Sequence, residues 1–350
     1  MGPKRRVSIF REPFSRGSSR SRDRRKNPAV WALALLPLLL PSGLSGQSAT
    51  PAANGMFSVD VNLVVLQVAV RNRAGGFVSG LQKQDFQVYE DGRPQAIHLF
   101  QHEDVPVSVG LIVDNSASMA RKRKDVTAAA LTFVRSSNPQ DEVFVVNFNQ
   151  KVSLGLPPAE LFSANPAELT KALNDVPAYG MTALYDAVEA GLARAGQAGR
   201  TKKVLIVISD GGDNASHCRL PQVLSDAERS DVIIYTIGLF DEHDGDQNPG
   251  VLRKLARATG GEAFFPDTTA DVVPVCQHIA EDIRQQYTIG YVPSNPKLDN
   301  TYRTIRVKAA APHRGKLMVR ARAGYIAAPE RNAPASVPSE RASGSGSQGH

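Results

Sequence analysis

The stretch PVSVGLIVDNSASM, residues 106–119, decides the fold of this chain. Its mostly apolar run, residues 107–113, is typical of a strand buried on both faces of a parallel sheet. Asp114, Ser116 and Ser118 follow at alternate positions, and a helical pattern begins at the end of the stretch. Alternate residues of an extended loop point the same way, so one carboxylate and two hydroxyls converge. Two interpretations fit this pattern: half of a divalent-metal site, or a polar turn that caps the next helix.

Strands and helices alternate from residue 105 to residue 286. The other strand-like runs are residues 143–147, 204–209, 232–238 and 262–265, with a shorter edge strand near 152–156. Amphipathic patterns predict helices near residues 119–136, 166–175, 183–196, 220–229, 249–259 and 271–286. Continuous apolar strands such as VLIVIS and VIIYTIG require cover on both faces. This alternation predicts a doubly wound, Rossmann-like α/β domain over residues 105–286.

Strand-like sequence also lies on both sides of this domain. Residues 57–104 carry β-branched residues in near-alternation, and Asp91 and Gly92 mark a tight hairpin. Residues 287–328 return to strands with Arg and Lys at alternate positions, which predicts one solvated face. We expect the N-terminal and C-terminal strands to pair across the α/β domain and to form one small β-sandwich-like domain.

Most of the positive charge is at the N-terminus. Residues 1–28 hold ten Lys and Arg against Glu12 and Asp23, a local +8, so the total of +7 leaves −1 for the remainder. A nucleic-acid partner therefore loses its main support. The apolar run that follows, residues 29–40, is shorter than the roughly 20 residues that span a bilayer.

This leader predicts a secretory signal over residues 1–46, and with it export to the periplasm, the cell envelope or the extracellular space. A retained N-terminal anchor is the alternative, and it is the one route by which we expect contact with a membrane. Residues 47–56 are predicted to be a linker and residues 329–350 a disordered tail. Cys218 and Cys276 leave two alternatives open: one disulfide in an oxidising compartment, or two unpaired thiols.

Two further segments bring polar residues to the same edge of the predicted sheet. YGMTALYD, residues 179–186, begins a helix after a glycine and has Thr182 at the turn. ISDGGDN, residues 208–214, follows a buried strand and has Asp210 at its carboxyl end. Doubly wound sheets bind ligands at this edge, and hard oxygen donors suit Mg²⁺.

The order D-x-S-x-S, then Thr, then Asp on three successive loops resembles the metal-ion-dependent adhesion site of the von Willebrand factor type A domain. The matching positions are Asp114, Ser116, Ser118, Thr182 and Asp210. The resemblance implies bound Mg²⁺, with Mn²⁺ or Ca²⁺ as alternatives, close to the first Asp and the two Ser. It also implies that Thr binds directly or through water, that the last Asp binds through water, and that the metal accepts a carboxylate from a protein partner. Over residues 57–328 the chain further resembles acidobacterial proteins with a type A related domain, which implies no particular activity.

The pattern does not favour an enzyme. Ser116 lacks the flanking glycines of a G-x-S-x-G turn, and no G-x-x-x-x-G-K-[ST] motif is present. His217, His243 and His278 are interpreted as surface or packing residues. Asp213 is interpreted as a polar loop residue. We therefore expect neither catalysis nor a small-molecule substrate.

The leading hypothesis is an exported adhesion module that captures an acidic group of a protein partner through the metal. The alternative is an envelope assembly or structural protein in which the metal site is regulatory. In type A domains the last helix can shift when the metal changes its ligands. The resemblance therefore implies that helix 271–286 communicates metal occupancy to the β domain.

Overall fold

The computed structural model describes residues 63–136, 138–241 and 245–329. The predicted secretory signal and linker lie outside these ranges, as does the predicted tail from residue 330 onward. No helix in the described part of the chain has the length and apolar character needed to cross a membrane.

The strands of the described residues alternate with helices in the middle of the chain and stand alone at both ends. In chain order they are β1 (Val64–Arg71), β2 (Phe86–Glu90), β3 (Arg93–Gln95), β4 (Ile97–Gln101), β5 (Ser108–Asp114), β6 (Glu142–Phe148), β7 (Val152–Leu154), β8 (Lys203–Ser209), β9 (Val232–Gly238), β10 (Ala263–Phe264), β11 (Tyr287–Tyr291), β12 (Tyr302–Ala309), β13 (Met318–Arg320) and β14 (Gly324–Ile326).

The helices lie where the amphipathic patterns predict them. They are α1 (Arg123–Ser136), α2 (Pro166–Asn174), α3 (Leu184–Ala195), α4 (Leu220–Arg229), α5 (Pro249–Thr259) and α6 (Val272–Gln285). The largest difference from the prediction is at the start of α1. There the residues Ala117–Met119 form a separate 3-10 turn, so the α-helix begins later than the pattern suggests.

The central sheet has the strand order β10-β9-β8-β5-β6-β7. β5 pairs in parallel with β6 on one side and with β8 on the other. β9 and β10 continue the parallel part of the sheet, whereas β7 at the opposite edge is antiparallel. Every residue of β5 and of β9 is buried, as strands covered on both faces require. The predicted α/β fold is confirmed, with β5 in the middle of the sheet.

The terminal strands form two antiparallel sheets, in the orders β13-β1-β11-β4 and β14-β12-β2-β3. In the first sheet β1 pairs with β11 and β13, and in the second β2 pairs with β12, so strands from the two ends of the chain meet. Asp91 and Gly92 have φ of 48° and 78° and form the predicted tight turn between β2 and β3. The predicted pairing across the α/β domain is confirmed.

The prediction of a solvated face on the C-terminal strands is correct for β12 but misses one buried and two half-buried arginines. β12 exposes Tyr302, Thr304, Arg306 and Lys308 on one face. On the other face Arg303 is buried and pairs with the buried carboxylate of Glu90.

Arg320 and Arg322, near β13 and β14, cap two helices of the α/β domain. Arg320 Nη1 donates to the Gly260 carbonyl at the end of α5, at 2.6 Å. Arg322 donates to the carbonyls of Glu228 and Ser230 at the end of α4, at 2.6 and 2.9 Å. These carbonyls have no partner within their own helix, and a cation there interacts favourably with the helix dipole. Hydrogen bonds from these two guanidinium groups to helix-end carbonyls therefore join the C-terminal strands to the α/β domain.

Both cysteines are free thiols in the structure, Cys276 buried and Cys218 half-buried. Burial raises the pKa of the Cys276 thiol to about 12, so this side chain behaves as an apolar packing residue.

Lys202 is a buried amine at the end of α6. Its Nζ donates to the Ile283 carbonyl, and the side chain is almost fully enclosed. Burial lowers its pKa from the ordinary 10.5 to about 8, against the opposing effect of Asp282, Asp104 and Asp141. The folded chain therefore loses this proton at a lower pH than the unfolded chain does.

Comparison of the wild type with Lys202→Met isolates the contribution of this titration to the unfolding free energy. Between pH 8 and pH 10.5 the unfolded wild type holds a proton that the folded wild type has released, so its stability rises with pH across that window. We expect the unfolding free energy of wild type minus that of Lys202→Met to rise by about 3 kcal/mol from pH 7.5 to pH 10.5. Urea denaturation of both proteins at the two pH values measures it. A difference that stays flat or falls would contradict the assignment.

Candidate metal site

Asp114 is the last residue of β5 and is buried at the carboxyl edge of the central sheet. Its Oδ1 accepts a hydrogen bond from the Ser116 amide at 2.8 Å, and its Oδ2 accepts one from the Ser209 hydroxyl at 2.6 Å. The two contacts fix the carboxylate between the end of β5 and the end of β8.

A chain of hydroxyls joins the loop after β5 to the loop after β8. Ser116 Oγ lies 3.1 Å from Ser118 Oγ, and Ser118 Oγ donates to Asp210 Oδ2 at 2.5 Å. The other oxygen of Asp210 accepts from the Gly212 amide at 2.9 Å. The structure thus brings Asp114, Ser116, Ser118 and Asp210 into one hydrogen-bonded cluster.

Thr182 is buried in the loop before α3 and is attached through its backbone to the loop after β8. Its amide donates to Asn214 Oδ1 at 2.9 Å, and its carbonyl accepts from the amides of Asn214 and Ala215, each at 3.0 Å. The second and third loops of the predicted site therefore lie side by side.

The loop that carries Thr182 is also attached to the loop after β5. The Tyr179 amide donates to the Asn115 carbonyl at 2.9 Å, and the Ala117 amide donates to the Gly180 carbonyl at 3.1 Å. Gly180 has φ of 80°, which glycine adopts without strain. All three loops that carry predicted site residues are thus joined by hydrogen bonds.

The charge of the cluster is not balanced by a cationic side chain among the residues that the structure describes. Burial raises the pKa of Asp114 to about 6; hydrogen bonds from Ser116 and Ser209 oppose this, and the nearby Asp210 carboxylate adds to it. Among the described residues, neither Asp114 nor Asp210 pairs with Lys, Arg or His. Buried carboxylates without a counter-charge are costly, and a divalent cation would offset two of them.

The donor set also fits a hard cation. Two carboxylates supply charge −2, and hydroxyls of Ser and Thr supply neutral oxygen ligands of the kind that Mg²⁺ takes. Within the described ranges no group of three or more His, Cys, Asp or Glu has metal-binding spacing. A metal at this edge would therefore be held with hydroxyls as well as carboxylates.

Two residues that support the candidate site were missed by the sequence patterns. Ser209 bonds the Asp114 carboxylate, and Asn214 holds the backbone of Thr182. The one available signal for Ser209 was a polar residue at the end of an apolar strand. Asp213 faces another way, since its Oδ1 accepts from the Tyr185 amide at 3.2 Å and so lies against the first turn of α3.

Gly211 is required for the close approach of the third loop to α5. Its φ is 83°, and a Cβ at this position would lie 2.4 Å from the Asn248 carbonyl oxygen. Because the obstacle is backbone, an added methyl group cannot be accommodated by a rotamer change. The loop that presents Asp210 therefore depends on this glycine.

Gly211→Ala is expected to lower the unfolding free energy by about 2–4 kcal/mol, the sum of a left-handed backbone penalty and a steric clash. Gly75→Ala is the matched control, because Gly75 has φ of 86° and a Cβ added there would meet nothing within 4 Å. It should lose only about 1–2 kcal/mol. Urea denaturation of the two variants measures both, and equal losses would contradict the close contact at Gly211.

Comparison with known proteins gives the following matches. The family model described as the von Willebrand factor type A domain matches residues 108–278. An uncharacterized protein of Synechocystis sp., sll0103, is 24% identical over 176 residues, which is 48% of this chain and 40% of that protein. The chain thus spans less than half the length of this curated relative.

Solved structures of the same kind are also similar. A von Willebrand factor type A structure from Catenulispora acidiphila has a TM-score of 0.47 and 14% identity, covering 76% of this chain and 74% of that one. The vWF domain of the type V pili tip protein Mfa5 from Porphyromonas gingivalis has a TM-score of 0.43 and 14% identity, covering 51% and 95%.

The matched residues 108–278 begin with β5 and end within α6, and so contain the central sheet together with all three loops of the candidate site. Residues 108–278 of this chain form a von Willebrand factor type A domain.

Proposed function

We propose that the chain is a non-enzymatic binding module that captures an acidic group of a protein partner through Mg²⁺, with Mn²⁺ or Ca²⁺ as alternative ions. Von Willebrand factor type A domains are in general protein-binding modules, which supports the wider part of this proposal. The metal-dependent part is carried by one observation: the buried carboxylates of Asp114 and Asp210 share a cluster of hydroxyls without a described counter-charge.

Each predicted site residue has a part in this proposal. Asp114 and Asp210 would balance the two charges of the ion, and the hydroxyls of Ser116, Ser118 and Thr182 would add oxygen ligands without adding charge. A bound Mg²⁺ supplies an electrophilic position that can accept a carboxylate oxygen. The hydrogen bonds among the three loops hold these side chains ready, so that little ordering is needed when a partner binds.

The surroundings of the serines support a non-enzymatic role. Within the described residues, the side-chain partners of Ser116 and Ser118 are one another, Asp114 and Asp210. A serine nucleophile needs a base within hydrogen-bond reach, most often His. Of the three histidines in the α/β part of the sequence, His217 and His278 contact Asp186 and Arg71 instead, and His243 lies outside the described residues.

The proposal includes a location outside the cytoplasm, in the periplasm, the cell envelope or the extracellular space. It rests on the predicted secretory signal, which lies outside the described residues. No nucleic acid and no small-molecule substrate are part of the proposal.

Capture from envelope extract tests the proposal. Immobilised wild type is compared with Asp114→Ala in Mg²⁺ and in EDTA, with purified metal-free protein titrated with MgCl₂ in parallel. We expect a protein that is retained by the wild type in Mg²⁺ and lost both in EDTA and with Asp114→Ala. Capture that survives both changes would sink the metal-bridged proposal and favour an envelope assembly or structural protein.

A further inference from the structure

Tyr179 and Met181 place two large apolar side chains on the surface beside Thr182. They are 52% and 54% exposed. Their loop is not free to turn them inward, because hydrogen bonds at Tyr179 and Gly180 fix its backbone to the loop after β5. Aromatic and methionine side chains are enriched at protein interfaces, and an exposed pair on a fixed loop favours a docking role.

Basic residues follow the first loop of the site. The run RKRK occupies residues 121–124, where α1 begins. Lys122 is buried and donates to the Leu239 carbonyl at 2.8 Å. Arg121 and Lys124 are exposed, and neither has an ion-pair or hydrogen-bond partner among the residues that the structure describes.

The stability of α1 does not explain these cations. Positive charge at a helix N-terminus opposes the helix dipole, so Arg121 and Lys124 weaken the helix slightly where they stand. Residues that break a local preference without a compensating contact are often functional. An anionic partner would supply the missing contact.

The third loop has the opposite charge. Asp246 is exposed and contacts this loop by accepting a hydrogen bond from Asn214 Nδ2 at 3.2 Å. The candidate site is therefore bordered by apolar side chains on its second loop, by cations after its first loop and by a carboxylate at its third. An acidic partner is attracted by one border and repelled by another, which restricts how it can lie.

We propose that the partner offers an acidic protein segment in which the metal-binding carboxylate stands beside an apolar side chain. The apolar side chain packs on Tyr179 and Met181, and further carboxylates of the segment lie over Arg121 and Lys124. This inference rests on the proposed function, since the metal takes the first carboxylate. Beyond the proposed function, it specifies which residue types the segment contains and in which direction the segment crosses the site.

A displayed library of random linear peptides, selected on the immobilised full chain in Mg²⁺, tests the composition. We expect selected peptides to contain Asp or Glu next to an aromatic or aliphatic residue, with an excess of further acidic residues. Selection is repeated on Tyr179→Ser/Met181→Ser and on Arg121→Ser/Lys124→Ser. The first variant should lose the apolar preference and the second the excess of acidic residues.

The affinities of the peptides selected on wild type measure how much each pair of side chains contributes to binding. Tyr179→Ser/Met181→Ser should weaken the best peptide by about tenfold or more. The matched control is Tyr302→Ser/Met318→Ser, which removes the same residue types at positions 44% and 46% exposed on β12 and β13. The control should leave affinity within about twofold.

The outcomes separate this inference from the proposed function. Two outcomes would overturn the inference and leave the proposed function standing. In the first, the selected peptides require Mg²⁺ and Asp114 but show no preference for an apolar residue. In the second, they show this preference equally on Tyr179→Ser/Met181→Ser. Selection of the same peptides in EDTA or on Asp114→Asn would overturn both the inference and the proposed function. Both would also be overturned if no peptide is selected although calorimetry shows that Mg²⁺ is bound.

Discussion

Asp114→Asn is expected to abolish Mg²⁺ binding and to leave the chain folded. The change removes one of the two negative charges of the cluster without changing the size of the side chain. Oδ1 of the new amide can still accept the hydrogen bond from the Ser116 amide. Groups that only support a metal ligand typically change affinity by 10–100-fold, so loss of a charged ligand should cost at least about 100-fold.

The metal-free protein should not lose stability in this variant. Burial raises the pKa of Asp114 to about 6, so at neutral pH the carboxyl is ionised in the fold at a free-energy cost that the unfolded chain does not have. A carboxyl pKa raised from 3.8 to about 6 lowers the folding stability as the pH rises through that window, the full loss remains at neutral pH, and a neutral amide removes it. We therefore expect the thermal midpoint without metal to be unchanged or higher.

Calorimetric titration with MgCl₂ and thermal unfolding with and without Mg²⁺ measure the two effects. Asp213→Asn is the matched control, because Asp213 lies in the third loop but bonds the Tyr185 amide and the Ser216 hydroxyl. It should keep Mg²⁺ binding. An Asp114→Asn protein that still gains stability from Mg²⁺ would contradict the assignment of Asp114 as a ligand.

The α/β part of the fold could be predicted because its signals are local. A strand such as β9, buried at every residue, must be apolar throughout, and this pattern is visible without any knowledge of its neighbours. Helices α4 and α5 have the predicted bounds for the same reason, since Pro near the start of each is a local signal. The 3-10 turn before α1 was missed because its residues also fit a helical pattern.

The join between the β sheets and the α/β domain could not be predicted from such signals. Arg320 and Arg322 stand in a strand-like segment where cations normally face water. Their partners are helix-end carbonyls and carboxylates far away in sequence, such as Glu228 and Asp282. Only tertiary contacts make a half-buried position suitable for these cations, and such contacts leave no periodic pattern in the sequence.

The candidate site was partly predictable, because some of its signals are local and others depend on tertiary contacts. Asp114, Ser116 and Ser118 form a local pattern, whereas their meeting with Asp210 depends on the pairing of β5 with β8. The roles of Ser209 and Asn214 depend on side-chain direction within the folded loops, which the sequence does not specify.

Asp282→Ala is expected to be among the most destabilising single changes in the chain. Asp282 lies on α6 and is fully buried at 0% exposure. Its Oδ1 accepts from Arg71 at 3.2 Å, and its Oδ2 accepts from Tyr235 and from Arg320. Burial alone would raise its pKa, yet Arg320, Tyr235 and Arg71 together hold the pKa below its ordinary value of 3.8.

Removal of this carboxylate leaves the buried Tyr235 hydroxyl and two half-buried guanidinium groups without their shared acceptor. Breaking a buried ion pair from one side costs about 3–5 kcal/mol, and the more exposed carboxylate of Glu262 compensates only part of the remaining charge. Glu262→Ala is the matched control, since Glu262 pairs with the same arginines at 3.0 and 3.6 Å but is 31% exposed. Exposure should limit its cost to about 1 kcal/mol.

The form of the unfolding curve shows whether Asp282→Ala uncouples the terminal strands from the α/β domain or lowers the stability of the whole protein. Arg71 belongs to β1, Arg320 to β13 and Tyr235 to β9, so Asp282 ties both terminal strands and the central sheet to α6. If these contacts couple the two parts, Asp282→Ala should split one urea transition into two, or lower its slope, whereas Glu262→Ala should shift the midpoint alone. Fluorescence and circular dichroism would then give different midpoints for Asp282→Ala. Coincident transitions with an unchanged slope, or equal costs for the two variants, would show that the coupling does not depend on the buried carboxylate.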